Sequence, residues 1–193
     1  MKNVETIVVV VLLCFCAVLC AKADGARWAS KRVLIVGDSL VGEGSGLEIG
    51  LRKSLEADGA IVVTMAEIGG RASSLAKSKD LREKLSSWRP DTVVLSLGMN
   101  SCRTTSNTYA RHARAISARL KGIECYWVGP PLLVEGVAGF VIALPEIVQE
   151  NSHCKYFDTM EEVSFPMGSV SGFHVRRWKG KRWAKQVWEW INK

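Results

Sequence analysis

Apolar positions along this chain fall into two alternating periods. Residues 32–36, 61–68, 92–97, 123–128 and 154–157 are short runs rich in β-branched and aliphatic side chains, and each predicts a strand. Between them the spacing turns helical. Leu47, Ile49, Leu51 and Leu55 predict a helix over 46–57, and Leu75, Leu81, Leu85 and Trp88 predict one over 74–88. An alanine- and arginine-rich helix follows over 106–120, an apolar stretch with a short helix over 136–149, and a closing helix over 179–192. Five strands separated by helices imply parallel pairing through right-handed crossovers. The expected fold is α/β: a three-layer α/β/α sandwich around a five-stranded parallel sheet, in a single domain. Ligands of such sheets sit beyond the carboxyl ends of the strands, so the polar residues that follow each strand carry the functional information.

Those residues form a pattern. Gly37-Asp38-Ser39 follows the first strand, Gly69-Gly70 the second and Gly98-Met99-Asn100 the third, while His174 lies shortly before the closing helix. A nucleophile, two donors and a base at one sheet edge are the minimal kit for acyl transfer. Ser39, read as the start of a helix, has an exposed oxygen where the helix dipole favours negative charge. The Ser39 N–H, the Gly70 N–H and the Asn100 side-chain amide would hold an oxyanion, and His174 would carry the proton. Each residue also has a plain reading. Asp38 and Ser39 are helix-capping types, Gly69 and Gly70 suit a turn, and Asn100 suits an Asx turn. His112, mid-helix among arginines, and His153, before the last strand on the wrong edge, are poorer bases.

The four blocks in this order resemble the SGNH hydrolases, also called the GDSL esterase/lipase superfamily. "GDSL" is Gly37-Asp38-Ser39-Leu40 here, and the family nucleophile maps to Ser39. The second-block glycine maps to Gly70, with Gly69 an adjacent competitor, and the Gly-x-Asn-Asp block is Gly98-Met99-Asn100-Ser101. The Asp-x-x-His block is Ser171-Gly172-Phe173-His174, so Ser171 stands where the family has its triad Asp. The resemblance implies a flavodoxin-like SGNH hydrolase fold and an ester hydrolase acting through an acyl-enzyme on Ser39, with no cofactor and no metal. Three accounts of the missing Asp stay open. Ser171, a backbone carbonyl or water orients the imidazole of a Ser39–His174 dyad; another carboxylate does so, Asp158 first and then Glu161 or Glu162; or the site only binds. Acetyl esters on glycans and lipid or thioester acyl groups are the substrate classes, with a tilt to O-acetylated glycan. An O-acyltransferase and a non-catalytic glycan- or lipid-binding protein are the alternatives.

Composition changes this picture at the ends. Lys2, an apolar run over 7–21 and Ala21-Lys22-Ala23 make residues 1–23 a signal peptide in form, ahead of a domain over 24–193. Export to a periplasm or medium is expected, with an uncleaved anchor as the rival. The formal net charge of +7 allows weak association with anionic envelope or membrane surfaces. The expected protein is a monomer with an ester substrate and no nucleic-acid partner. Past residue 23 three cysteines remain, Cys102, Cys125 and Cys154, enough for one disulfide with three pairings open. Their spacing fits no zinc motif. Trp183, Val187 and Trp190 read as the buried stripe of the last helix, and Trp178 as a wall of the cleft. The run 130–147 reads either as a lid or acyl-binding wall, or as a core helix after a loop.

Overall fold

The computed structural model describes residues 26–42, 44–131, 138–163, 170–171, 174–175 and 177–193, with the backbone alone at 138, 170, 171, 174, 177 and 178. Five strands, β1 (Arg32–Gly37), β2 (Ile61–Ala66), β3 (Thr92–Ser96), β4 (Glu124–Val128) and β5 (Lys155–Phe157), pair in parallel in the order β2-β1-β3-β4-β5. The chain moves outward from β1 to β2, then crosses to the other side of β1 for β3. The strand order therefore reverses between β1 and β3, and a crevice opens there beyond the carboxyl ends.

Alternation along the strands divides the core in two. Val33, Ile35 and Val94 face one layer, and Leu34, Val36, Val93 and Leu95 face the other. The first layer is α1 (Gly46–Ala57) and α7 (Arg177–Ile191). The second holds α2 (Ala72–Lys77), α3 (Lys79–Trp88), α4 (Ser106–Arg119) and α5 (Ala138–Asn151). A single turn, α6 (Thr159–Glu162), follows β5, and a small antiparallel pair, β6 (Val170–Ser171) and β7 (His174–Val175), precedes α7.

The helix expected over 74–88 is two helices. The Ser78 N–H donates to Leu75 O and closes α2, while Ser78 Oγ accepts from the Leu81 N–H at 3.1 Å and opens α3. A serine side chain that competes for backbone bonds breaks the helix where apolar spacing alone carries through. The apolar stretch past residue 136 contains a full helix rather than a short one, although Pro145 lies within it. Val141, Leu144 and Val148 of that helix are buried in the core, which decides the core reading for this part; residues 132–137 lie outside the described set.

α1 and α7 cross at close range because small residues face each other. A Cβ on Gly180 would stand 2.6 Å from Gly46 Cα, and one on Gly50 would stand 2.5 Å from Ala184 Cβ. This seam fixes the helix after Ser39 against the helix after β7. Trp183 and Val187 are buried as expected, and Trp190 is half-buried against Tyr126 and Phe157. Cys125 and Cys154 form the disulfide, which joins β4 to the residue before β5 and leaves Cys102 free. No helix among the described residues is long and apolar enough to cross a membrane. The expected leader lies outside the described residues.

Candidate active site

The chain turns immediately after β1. The Asp38 N–H donates to Ser96 O at 3.3 Å, which keeps this corner tied to β3, and the Val41 N–H closes a turn onto Asp38 O at 3.1 Å. Ser39 occupies the corner, half-buried, on the wall of a cleft of about 1070 Å³. It is not at a helix start. α1 begins at Gly46, and Ser45 is its cap, with Oγ accepting the Glu48 N–H at 3.1 Å. The expected help from the helix dipole at Ser39 is therefore absent, since that field fades within the first turn. The capping reading of Asp38 and Ser39 fails for the same reason.

Asp38 has a different task. Its side chain is fully buried; Oδ1 accepts the Leu40 N–H at 2.9 Å and Oδ2 accepts from Asn100 Nδ2 at 3.1 Å. The carboxylate thus braces the residue after Ser39 and the block after β3 together. Charge-assisted bonds of this kind are stronger than neutral ones. The sequence offers Asp38 only a capping part, because its partner Asn100 lies far along the chain.

The second block is a tight turn. Gly69 takes φ of +72°, and the Gly70 N–H donates to Glu67 O at 2.8 Å. A left-handed third residue favours glycine. The Gly70 N–H, expected to face a substrate oxygen, is engaged inside this turn, while Gly70 O accepts from Asn100 Nδ2 at 3.2 Å. Asn100 sits on a 3₁₀ turn over Met99–Ser101. It makes no local Asx turn; its amide spans to Asp38 and to Gly70. Three segments far apart in sequence therefore meet at the β1/β3 crevice, with the Asn100 amide at the join. Ser101, in the position where the GDSL pattern closes with Asp, is buried, and its Oγ accepts the Ala72 N–H at 3.4 Å.

Ser171 and His174 are register partners across β6 and β7, and Val175 lines the cleft with Ser39. The expected contacts of the Ser171, His174 and Trp178 side chains lie outside the described residues. Asp158 caps α6, with Oδ1 accepting the Met160 N–H at 2.9 Å. It follows β5, three strand spacings from β1, or roughly 14 Å across the sheet. Glu161 and Glu162 are exposed on α6.

The other histidines have other surroundings. Burial, Arg111 and Lys77 lower the His112 pKa. The His153 ring meets Ser117 Oγ at 2.8 Å and Ile123 O at 3.2 Å, at the amino ends of β4 and β5. Cys125, His153 and Cys154 bring metal-binding atom types within 4.8 Å of one another, but the disulfide uses both sulfurs.

No protein-family model and no curated protein sequence matches the chain. Solved structures do. A point mutant of Axe2, an acetyl-xylooligosaccharide esterase from Geobacillus, superposes with a TM-score of 0.73 at 15% identity, over 86% of this chain and 97% of that one. The family 3 carbohydrate esterase of Clostridium thermocellum gives 0.69 at 18% identity, over 83% and 94%. A protein from Desulfitobacterium hafniense assigned to the lipolytic G-D-S-L family gives 0.64 at 15%, over 83% and 99%. The fold is that of the SGNH hydrolases. Ser39, Gly70 and Asn100 lie past the carboxyl ends of β1, β2 and β3 in this fold.

Proposed function

We propose that this chain is a serine esterase that hydrolyses carboxylic esters through an acyl-enzyme on Ser39. The observation that carries the reading is that Ser39 lines a cleft and directly follows Asp38, which the Asn100 amide joins to Gly70 by two hydrogen bonds. Ser39 Oγ attacks the ester carbonyl as His174 takes its proton. The tetrahedral oxyanion is held by the Ser39 N–H and by Asn100 Nδ2, which gives up one resting bond to do so. The Gly70 N–H joins by sharing its bond to Glu67 O. Collapse expels the alcohol, which receives the proton from His174. Water, deprotonated by His174, then attacks the acyl carbonyl, and the carboxylic acid leaves as Ser39 recovers its proton. Ser171, the register partner of His174, or a backbone carbonyl orients the imidazole in place of the usual Asp.

The relatives in structure named for acetylated and other carbohydrates favour O-acetyl esters of glycans as substrate. Export through the leader over 1–23 and a monomeric state belong to the same reading. Ser171 in place of Asp favours one second reading, a binding protein without turnover. A fluorophosphonate probe separates the two. Labelling lost in Ser39→Ala, and rising with pH as a histidine base becomes neutral, supports the esterase. A folded protein that stays unlabelled from about pH 6 to pH 9, the span of that titration, supports the binder.

A further inference from the structure

One wall of the Ser39 cleft is polar. Ser45, Glu48, Ile49 and Arg52 stand at i, i+3, i+4 and i+7 along one face of α1, and all four line the cleft together with Thr64 of the edge strand β2. Glu48 is 6% exposed and holds the centre. Its Oε1 accepts from Arg52 Nε at 2.6 Å and from Thr64 Oγ1 at 3.0 Å. Arg52 Nη1 donates to Val62 O at 2.9 Å and to Glu56 Oε1 at 3.4 Å, and Nη2 donates to Thr64 Oγ1 at 2.7 Å.

The hydrogen-bond inventory of this cluster does not close on itself. A guanidinium has five N–H groups, and among the described residues one on Nη2 has no partner. The Thr64 hydroxyl spends its proton on Glu48 and accepts once, so one lone pair remains. Glu48 Oε2 likewise has no partner among the described residues. The wall thus offers both donors and acceptors to the cleft.

Its charge selects among ligands. Among the described residues that line the cleft, Glu48 and Arg52 are the charged ones and they offset each other, so the wall has no positive excess to attract a phosphate or a carboxylate. A hydrocarbon chain laid against it would strip water from paired charges without replacing the lost bonds. A neutral hydroxyl-bearing group both donates and accepts, and it matches. Leu40 and Ile49 in the same cleft, and Ile68 at 89% exposure, supply apolar surface for the C–H face of a ring.

The geometry points to Glu48, Arg52 and Thr64 as specificity-determining residues that read the hydroxyls of a neutral sugar or polyol on the alcohol side of the ester. This rests on Ser39 being the nucleophile of the cleft. Thr64→Val keeps the branched shape that suits a strand and removes the hydroxyl. Two acetyl esters are compared, a partly acetylated cello-oligosaccharide and 4-nitrophenyl acetate, whose alcohol has no further hydroxyl. The ratio of kcat/KM for sugar over aryl ester should fall about fivefold, the worth of one hydrogen bond, and chiefly through KM. A ratio equal to that of the wild type overturns the assignment, as does a wild-type preference for acetyl-coenzyme A over the acetylated sugar.

A titration of cello-oligosaccharide into Ser39→Ala, read by tryptophan fluorescence because Trp183 lines the cleft, requires no turnover. Saturable binding that weakens about fivefold when Thr64→Val is added supports the sugar wall even if the protein proves inert. An active esterase whose sugar binding ignores Thr64 refutes the wall and leaves the esterase standing.

Discussion

The molecule holds a serine and a histidine at each end of its sheet. At the amino edge, Ser117 Oγ lies 2.8 Å from His153 Nδ1, and Ile123 O lies 3.2 Å from the other ring nitrogen. By distance alone this is a nucleophile, a base and an orienting acceptor. Yet Ser117 Oγ also accepts the His153 N–H at 3.1 Å, and the serine sits within the last turns of a helix. Its hydroxyl is a tie between α4 and the start of β5. At the carboxyl edge, Ser39 occupies a sharp corner beside a cleft, and Asp38 before it is tied to Asn100, which also bonds Gly70. Contact between serine and histidine does not make a catalyst. Catalysis also needs donors that can turn to a developing oxyanion and an open cleft beside the nucleophile.

The sharpest break of this comparison is a pair of serine substitutions. Ser39→Ala should cost at least ~10³ in kcat on 4-nitrophenyl acetate, the scale seen when a nucleophile is removed. Ser117→Ala should leave turnover at the wild-type level and lower stability by about 1 kcal/mol through its lost bonds. Steady-state kinetics and urea melts of both variants check this. Loss of activity in Ser117→Ala with the fold intact would reverse the assignment of the two edges.

Next in size is the Asp38 brace. Asp38→Asn puts an amide N–H₂ or a weaker acceptor opposite Asn100 Nδ2, so the Asn100 donor should lose its aim. A fall of about 10² in kcat is expected, the usual worth of one oxyanion donor, with a much smaller change in KM. A KM effect without a kcat effect would show that Asp38 shapes the cleft and leaves the donor alone.

The disulfide tests the amino edge from the other side. Cys125 and Cys154 close a loop with a sequence separation of 29, worth roughly 3.6 kcal/mol in the chain-entropy account. The double serine variant should melt earlier by that much, read by urea denaturation. Its kcat at a temperature where it remains folded should match the wild type, because the bridge is far from the Ser39 corner. A proportionate loss of kcat would couple the two edges.

Residues whose work is local were legible in the sequence. β1 and β3 are buried on both faces, so their apolar runs stand out, and Ser39, Gly70 and Asn100 each lie within four residues of a strand end. What escaped is long-range. Cys125 pairs with Cys154 because β4 and β5 are neighbours, a fact of strand order that spacing does not carry. The partners of Asp38 are set by the β1/β3 switch point. Glu48 and Arg52 form an ordinary i,i+4 pair on paper; only the position of β2 turns them into a cleft wall with Thr64. Ser78 broke a helix through one side-chain bond, a local event too small for apolar periodicity to register.

The smallest expected effect belongs to Glu124, which heads β4 at the amino edge. Burial alone would raise its carboxyl pKa, but hydrogen bonds from Tyr126 and Thr92 and the nearby Arg27 guanidinium outweigh that and hold it below the ordinary value near 4.5. Tyr126 responds in the opposite sense, its phenol raised by burial and by Glu124. A lowered folded pKa means that the unfolded chain binds the proton more tightly. The stability from this cluster is therefore complete above the unfolded pKa and fades as pH falls through the folded one. The Glu124 side chain is 41% exposed, so solvent screening keeps the contribution below about 1 kcal/mol. Urea midpoints of Glu124→Gln and the wild type should differ most near pH 7 and converge in acid. A Glu124→Gln variant more stable than the wild type near pH 7, with the difference closing in acid, would mean that the carboxylate strains this edge.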